Sequence, residues 1–249
     1  MIVNTAKQKM LRGEAVFGFA LGLGSPIVAE LVAASGADFV LIDNQHGSWS
    51  PESTLAALLA IHGATPMARV ARNDYTMIGR LLDEGTLGII VPMVHTAQDA
   101  KAAAEACRFP PAGGRSWGWS RAGIYGPDYG DKVNEQVFLA VQIESAQAVE
   151  NAEAILSTPG VDGCWVGPSD LAWSMGIHPK DRFTNDRHAR NLERVIVACR
   201  NTGKIPGIAA ADPGDAVARA KQGYRFIVAT HDGGFLAVGM AAAWKTLRG

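Results

Sequence analysis

The sequence predicts an α/β protein built as a (β/α)8 TIM barrel, with residues 1–249 in a single domain. Short runs rich in Val, Ile, Leu and Phe alternate with amphipathic stretches of helical length, which is the pattern of repeated βα units around a parallel sheet. With 48% hydrophobic and 19% charged residues, the chain can also bury one large core. The apolar runs divide the chain into eight such units.

The individual elements follow from these runs and from the residues that separate them. Polar caps precede several helical stretches, for example Ser50, Thr96 and Ser145, and Asp212 stands before a first-turn proline. Glycines end several helices just before the next strand. The predicted strands are residues 16–23, 39–43, 65–70, 88–94, 137–144, 161–167, 205–210 and 226–230.

Composition and charge exclude several classes of partner. The formal net charge of −1 and the sequence pI near 6.6 give no basic surface for nucleic acid and no polybasic membrane anchor. The apolar run 16–24 is too short to span a bilayer. Cys107, Cys164 and Cys199 are odd in number and widely spaced, which predicts reduced thiols and a cytoplasmic protein. Phosphate-loop and Rossmann glycine signatures are missing, so no organic cofactor is expected.

Two acidic residues at strand ends predict a divalent metal site. Glu144 ends the fifth predicted strand and Asp170 follows the sixth. In a TIM barrel, the carboxyl ends of the strands carry the chemistry. Two alternatives remain open: Glu144 could form an internal salt bridge with Arg69 across the barrel, and Asp170 could be a helix N-cap.

A metal held by two carboxylates could bind the oxygens of a keto acid substrate. Most positions of an octahedral Mg²⁺, Mn²⁺ or Co²⁺ would stay free for water and for substrate oxygens. The metal would polarise the keto group, and Arg69 would add positive charge where an enolate oxygen develops. If Asp170 begins a helix, the amides of Ser169 and Asp170 would favour an anion such as a substrate carboxylate.

A titratable pair follows the second strand. His46 lies three residues beyond Asp43, close enough for the carboxylate to orient the ring, and such a histidine can move protons. The alternative is a turn histidine with local hydrogen bonds. A Schiff-base lysine is disfavoured, because only Lys204 lies near a strand, at its entrance. Gly233 and Gly234 are a minor candidate for binding phosphate.

One stretch breaks the regular alternation. Residues 108–136 form a long segment rich in glycine and aromatic residues, which we interpret as a βα segment, and long ordered loops of this kind are often lids or interfaces.

Five motifs in order resemble the HpcH/HpaI aldolase family. They are LIDNQHG (41–47), ARVARND (68–74), GIIVPMV (88–94), VQIES (141–145) and VGPSDL (166–171). The likeness covers nearly the whole chain, and it is greatest to the 4-hydroxy-2-oxoheptanedioate and 2-dehydro-3-deoxyglucarate aldolases of that family, which are metal-dependent class II pyruvate aldolases.

The resemblance implies a reaction, a cofactor and a site. The reaction is reversible cleavage of a 4-hydroxy-2-keto acid to pyruvate, or hydroxypyruvate, and an aldehyde. The cofactor is a divalent metal ion. The implied roles are metal ligation by Glu144 and Asp170, polarisation of the keto oxygen by Arg69, proton transfer by His46 with Asp43, and substrate contacts by Gln142 and the Ser169 and Asp170 amides.

The resemblance also implies an assembly. Family members are homohexamers, built as trimers of dimers that exchange C-terminal helices, and Asp83 matches an acid given to a neighbouring subunit's site. Gln45 departs from the family, which often has Glu before the histidine, and the segment 116–120 is bulkier than usual. Two other functions remain open: an oxaloacetate-type decarboxylase that shares the enolate, and a barrel that binds a keto acid without turnover.

Overall fold

The computed structural model describes residues 3–249 and forms a closed barrel of parallel strands in sequence order. The strands are β1 (Val16–Leu21), β2 (Phe39–Asp43), β3 (Thr65–Arg69), β4 (Gly88–Val91), β5 (Phe138–Ile143), β6 (Gly163–Val166), β7 (Gly207–Ala209) and β8 (Phe226–His231). The TIM-barrel prediction is therefore confirmed. All eight predicted strands are present, and the largest difference is at the end of β4, at Val91 where residue 94 was predicted.

Helices cover the outside of the barrel. They are α1 (Thr5–Leu11), α2 (Pro26–Ala34), α3 (Pro51–Ala60), α4 (Tyr75–Asp83), α5 (Ala97–Cys107), α6 (Tyr129–Gln136), α7 (Ala146–Glu150), α8 (Ala152–Leu156), α9 (Pro168–Ser174), α10 (Asp186–Thr202), α11 (Pro213–Gln222) and α12 (Asp232–Arg248). Short 3₁₀ helices occupy Arg121–Tyr125 and Pro179–Asp181. Among the residues described, no helix is long and apolar enough to cross a membrane.

The helix caps predicted from the sequence are present. The Ser50 hydroxyl accepts the amide of Ser53, and the Ser53 hydroxyl accepts the amide of Ser50, so the two residues form a reciprocal capping box at the start of α3. Thr96 and Asp99 form the same arrangement at α5. These bonds satisfy amides that the first turn of a helix leaves free, and they fix where each helix leaves the barrel mouth.

The buried apolar side chains form two layers, as the two-residue period of each strand requires. Val40 and Ile42 of β2 point to the layer between strands and helices, whereas Phe39 and Leu41 belong to the cluster inside the barrel. The inner cluster also contains Met10 of α1. Because the Lys7 ammonium on the same helix donates to the Val137 carbonyl just before β5, α1 closes the end of the barrel where the strands begin.

The aromatic segment, residues 108–136, lies at the end of the barrel where the strands begin. It follows α5 and precedes β5, so it is an αβ connection, and its interpretation as a βα segment is wrong. Its side chains pack on the end of α4: the Tyr125 hydroxyl donates to the Gly85 carbonyl, and the Tyr129 hydroxyl donates to the Leu82 carbonyl. The segment therefore does not cover the mouth formed by the carboxyl ends of this barrel's own strands.

Candidate active site

Polar side chains from four strands meet at the carboxyl ends of the barrel. Asp43 ends β2 and Arg69 ends β3, and the two residues are partners in the parallel ladder. Gln142 lies on β5, and Glu144 follows that strand directly. Asp170 lies in the first turn of α9, just after β6. The strands thus bring these predicted residues to one mouth.

Arg69 pairs with Asp43. Its Nε donates to Asp43 Oδ1 at 2.8 Å and its Nη2 donates to Asp43 Oδ2 at 2.5 Å, so the contact is bidentate, and both residues are buried. The guanidinium also lies over the Trp165 ring, 5.1 Å from its centroid. The alternative prediction of a salt bridge between Arg69 and Glu144 is wrong, because the structure pairs Arg69 with Asp43 instead.

The surroundings of Asp43 favour its charged form. Burial alone would raise the pKa of this carboxyl, but the hydrogen bonds and charge of Arg69 and the backbone amides of His46 and Gln45 together lower it. Asp43 is therefore a fixed anion that holds the Arg69 guanidinium in place.

Gln142 connects Arg69 to Glu144. Its Oε1 accepts from Arg69 Nη1 at 3.5 Å, and its Nε2 donates to Glu144 Oε2. Arg69 can only donate and the Glu144 carboxylate accepts, so this orientation of the Gln142 amide is the one that satisfies both neighbours. A continuous polar chain thus runs from Asp43 through Arg69 and Gln142 to Glu144.

Glu144 is a buried carboxylate that no cation contacts among the residues described. It is 4% exposed, and its Oε1 accepts the Met93 amide at 2.8 Å. Burial raises the pKa of Glu144, and the negative charge of Asp170 raises it further. Arg69 opposes this effect from behind Gln142. Two carboxylates therefore lie close enough to repel each other, and the buried one has hydrogen bonds from neutral donors but no direct contact with a cation among the described residues.

Asp170 does not cap its helix. The N-cap of α9 is Gly167, and no side-chain cap is present there within the described part of the chain, so the N-cap alternative for Asp170 is wrong. Its side chain is exposed, as is that of Ser169. Both amides belong to the first turn, where backbone N–H groups have no intrahelical acceptor.

These donors fit a hard divalent cation. Such a cation prefers carboxylate oxygens and keeps several positions for water or substrate. It would offset the raised pKa of Glu144 by neutralising the two facing charges. Gly167 supports this fit, because a Cβ built there would lie only 3.0 Å from Glu144 Oε2, so the glycine leaves that oxygen accessible. Among residues 3–249, no group of three or more His, Cys, Asp or Glu side chains could hold a metal, so the two carboxylates would be its only ligands of these types.

The chain matches a known protein family over most of its length. The HpcH/HpaI aldolase/citrate lyase family model matches residues 17–238. The chain belongs to this family.

Relatives of this HpcH/HpaI chain are aldolases by name. The chain is 38% identical over 219 residues to a 4-hydroxy-2-oxo-heptane-1,7-dioate aldolase of Escherichia coli, covering 84% of this chain and 81% of that protein. It is 37% identical over 215 residues to a 4-hydroxy-2-oxovalerate aldolase of Novosphingobium aromaticivorans, covering 84% of this chain and 81% of that protein. A solved HpcH/HpaI aldolase/citrate lyase family protein from Burkholderia cenocepacia superposes with a TM-score of 0.92 at 33% identity, covering 99% and 100% of the two chains. The aldolase activity expected from the sequence has the support of these relatives.

His46 lies in the turn after β2, and among the described residues its ring makes no hydrogen bond to Asp43. The bond that links the two residues runs from the His46 amide to Asp43 Oδ1, at 3.3 Å, and the His46 side chain is exposed. Among the residues described, the Asp43 carboxylate binds Arg69 and the amides of Gln45 and His46, and the His46 ring is not one of its partners. The structure therefore shows Asp43 shaping the turn that carries His46.

Asp83 lies far from this barrel's own mouth. It ends α4, and its carboxylate binds the buried Arg115 at 2.6 Å, beside the aromatic segment. The Arg115 guanidinium stacks over Phe109 at 4.4 Å. This position is consistent with a role outside the chain's own site.

Met93 is the contributor to the site that the sequence did not reveal. Its φ of 57° is the one positive value at a residue other than glycine within the described range, and this turn directs its amide towards Glu144. A backbone donor leaves no mark in side-chain chemistry, and residues 92–94 were predicted to lie inside the fourth strand, so the turn at Met93 was not predicted from the sequence.

Proposed function

We propose that this aldolase reversibly cleaves 4-hydroxy-2-keto acids to pyruvate or hydroxypyruvate and an aldehyde, using a divalent cation held by Glu144 and Asp170. The observation that carries the proposal is the buried Glu144 carboxylate, which faces Asp170 and has no contacting cation among the described residues. Buried charges are normally paired or coordinated. The ion would be Mg²⁺, Mn²⁺ or Co²⁺, since carboxylate donors suit these hard cations.

The cation, when bound, supplies Lewis-acid polarisation of the keto group. Arg69 adds a fixed positive charge near the C2 oxygen, where negative charge develops during cleavage. Its bidentate contact with Asp43 holds the guanidinium rigid, and Gln142 sets the distance between the guanidinium and Glu144. The chain therefore arranges its charges before substrate arrives, and little reorganisation is needed during the reaction.

The substrate carboxylate binds the amides of Ser169 and Asp170. Both amides lie in the first turn of α9, where the backbone donors are free and the helix dipole favours an anion. This contact, together with Gln142, orients the keto acid with its C2 oxygen towards Arg69.

His46 removes the proton of the 4-hydroxyl, directly or through a water molecule. The C3–C4 bond then breaks, C4 leaves as the aldehyde, and the electron pair passes through C3 to the C2 oxygen. A proton added to C3 completes pyruvate. The exposed His46 ring at the rim of the mouth supports this role, since it can reach a substrate that enters from solvent.

The proposed assembly is a hexamer made of three dimers, with α12 exchanged within each dimer. Only Asp232 of α12 is buried, whereas several large apolar side chains of this helix are exposed. They are Phe235, Leu236, Val238, Met240, Trp244 and Leu247. A second chain would cover this apolar face, and a neighbouring chain would receive Asp83. Analytical ultracentrifugation of the full chain tests the assembly: a monomer at micromolar concentration would contradict it.

The test of the function is exchange of the pyruvate methyl protons with deuterium, followed by NMR with and without a chelator. We expect metal-dependent exchange that is lost in Glu144→Gln and Asp170→Asn. Glu150→Gln, which removes an exposed carboxylate at the end of α7, is the matched control and should keep exchange. Full exchange in the metal-free protein would overturn the metal role.

Product analysis separates the remaining functions. An aldehyde formed from a 4-hydroxy-2-keto acid supports the aldolase, whereas CO₂ from oxaloacetate without aldehyde formation would favour the decarboxylase. Binding of pyruvate without exchange or cleavage, with each of the three metals added, would favour a barrel that binds keto acids without turnover.

A further inference from the structure

A buried histidine lies behind the segment that carries Asp170. His188 is in the first turn of α10 and is 2% exposed. Its Nε2 is 2.9 Å from the carbonyl oxygen of Pro168, the first residue of α9. Because a carbonyl only accepts, Nε2 carries the proton and donates. Burial lowers the pKa of His188, so the ring is neutral at pH 7 and Nδ1 is unprotonated.

The start of α9 has few other anchors. Its N-cap is a glycine, no side chain caps it within the described residues, and Pro168 has no N–H to donate. The helix is only seven residues long. Leu171 and Ala172 are buried, but Pro168, Ser169 and Asp170 before them are not, so packing anchors the first turn, which carries Asp170, less firmly than the two residues that follow it.

The barrel limits the same segment from its other side. A Cβ at Gly167 would lie 3.0 Å from Glu144 Oε2 and 3.1 Å from Gln142 Nε2, so the backbone there is already close to the polar chain of the site. The polar chain thus lies close to Gly167 on the barrel side, and the bond from His188 to Pro168 holds the segment on the other side.

A cavity beside the His188–Pro168 hydrogen bond leaves space into which Pro168 could move. A cavity of about 540 Å³ is lined by Pro168, His188 and Leu192, together with Arg182 and Arg219. Pro168 therefore has open volume behind it, and the His188 bond crosses from α10 to the start of α9.

We propose that His188 is a positioning residue that fixes segment 167–170 so that Asp170 and Glu144 can share one cation. The inference rests on the proposed function, since it assigns His188 a role through Asp170. His188 touches neither substrate nor cation; it acts through the Pro168 carbonyl.

Three variants of the full-length protein test this role. His188→Leu removes the donor and keeps a similar volume, while His188→Gln places an amide N–H near the position of Nε2 and restores it. Leu192→Ala, on the same helix and lining the same cavity, is the control for lost packing. Each variant is measured for Mn²⁺ affinity by calorimetry, for KM and kcat with pyruvate formation, and for hydrogen exchange of residues 167–175.

We expect His188→Leu to bind Mn²⁺ about fivefold more weakly, as the loss of one hydrogen bond would give, with a raised KM and faster exchange at 167–175. His188→Gln should recover most of the affinity, and Leu192→Ala should lower the melting temperature without changing the Mn²⁺ affinity. Wild-type affinity, KM and exchange in His188→Leu would overturn the proposal, as would an equal loss of affinity in Leu192→Ala.

The failure of the proposed function would look different. A wild-type protein that binds no Mn²⁺ and shows no metal-dependent exchange of pyruvate protons would contradict the function itself. The hydrogen-exchange comparison needs no metal, so it would still show whether His188 anchors the segment: unchanged exchange in His188→Leu would contradict the anchor.

Discussion

The Arg69 guanidinium binds the Asp43 carboxylate through two parallel hydrogen bonds, at 2.8 and 2.5 Å, between the ends of neighbouring strands. This pair is the start of the polar chain that reaches Glu144 through Gln142. A bidentate pair of this kind fixes both position and plane of the guanidinium. The site is thus organised around Arg69.

The Asp43–Arg69 pair should make stability depend on acid pH. The pKa of Asp43 is lowered in the folded protein, so the unfolded chain binds more protons as the pH falls through about 4. The stabilisation is present above the unfolded pKa and is lost as the pH falls through the lower folded pKa. At pH 7, Asp43→Asn should lose about 3 kcal/mol, because it leaves Arg69 buried without its partner.

Urea unfolding of wild type and Asp43→Asn from pH 7 to pH 3 measures this dependence. The difference in the free energy of unfolding between the two proteins should shrink below about pH 4. A difference that stays constant over the range would contradict the assigned pair.

His46→Ala should impair cleavage and spare the cation site. Loss of a general base typically lowers rate by about 10²- to 10⁴-fold. His46 is exposed and is not one of the two proposed metal ligands. The Mn²⁺ affinity and the melting temperature of the variant should therefore stay near those of the wild type. Steady-state kinetics and calorimetry check both points, and an unchanged cleavage rate would remove His46 from the mechanism.

Gly167→Ala should damage activity more than stability. The new Cβ would be 3.0 Å from Glu144 Oε2, so the carboxylate or the loop must shift by a few tenths of an ångström. We expect kcat/KM to fall by about tenfold or more, since small displacements of a reacting geometry are costly. Gly79→Ala in α4, where nothing lies within 4 Å of the new atom, is the control and should stabilise by about 0.5–1 kcal/mol. Equal kcat/KM in the two variants would contradict the prediction.

Met93→Gly should stabilise the protein and keep the hydrogen bond to Glu144. The left-handed backbone at Met93 costs about 1 kcal/mol for a residue with a side chain, and glycine avoids this cost. Since the Met93 side chain is 57% exposed, little burial is lost. Urea denaturation should show a gain of about 0.5–1 kcal/mol. A loss of similar size would mean that the side chain supports the site in another way.

The fold was predictable because its signals are local. The apolar run of β2 and the glycine and proline residues beside several helices indicate where elements begin and end. Glu144 and Asp170 could be placed because parallel strands end at one edge. The ion pairs between side chains were less predictable. Which acid Arg69 binds depends on the register between β2 and β3, and the sequence alone left Glu144 as the open alternative.

Other parts of the site depend on contacts that leave no sequence pattern. The Met93 amide reaches Glu144 because of one backbone angle, and His188 reaches Pro168 from a helix that begins eighteen residues further along the chain. The aromatic segment was assigned to the wrong end of the barrel, because its length and composition resemble those of a lid, whereas its location depends on α5 lying before it.

The most direct test of the shared cation is a crystal structure of the full chain grown with Mn²⁺, with anomalous data collected near the manganese absorption edge. We expect one strong anomalous peak about 2.1 Å from carboxylate oxygens of both Glu144 and Asp170, and no peak there in Glu144→Gln. A wild-type map with no peak between these two side chains, or with a manganese ion bound to only one of them, would contradict the account.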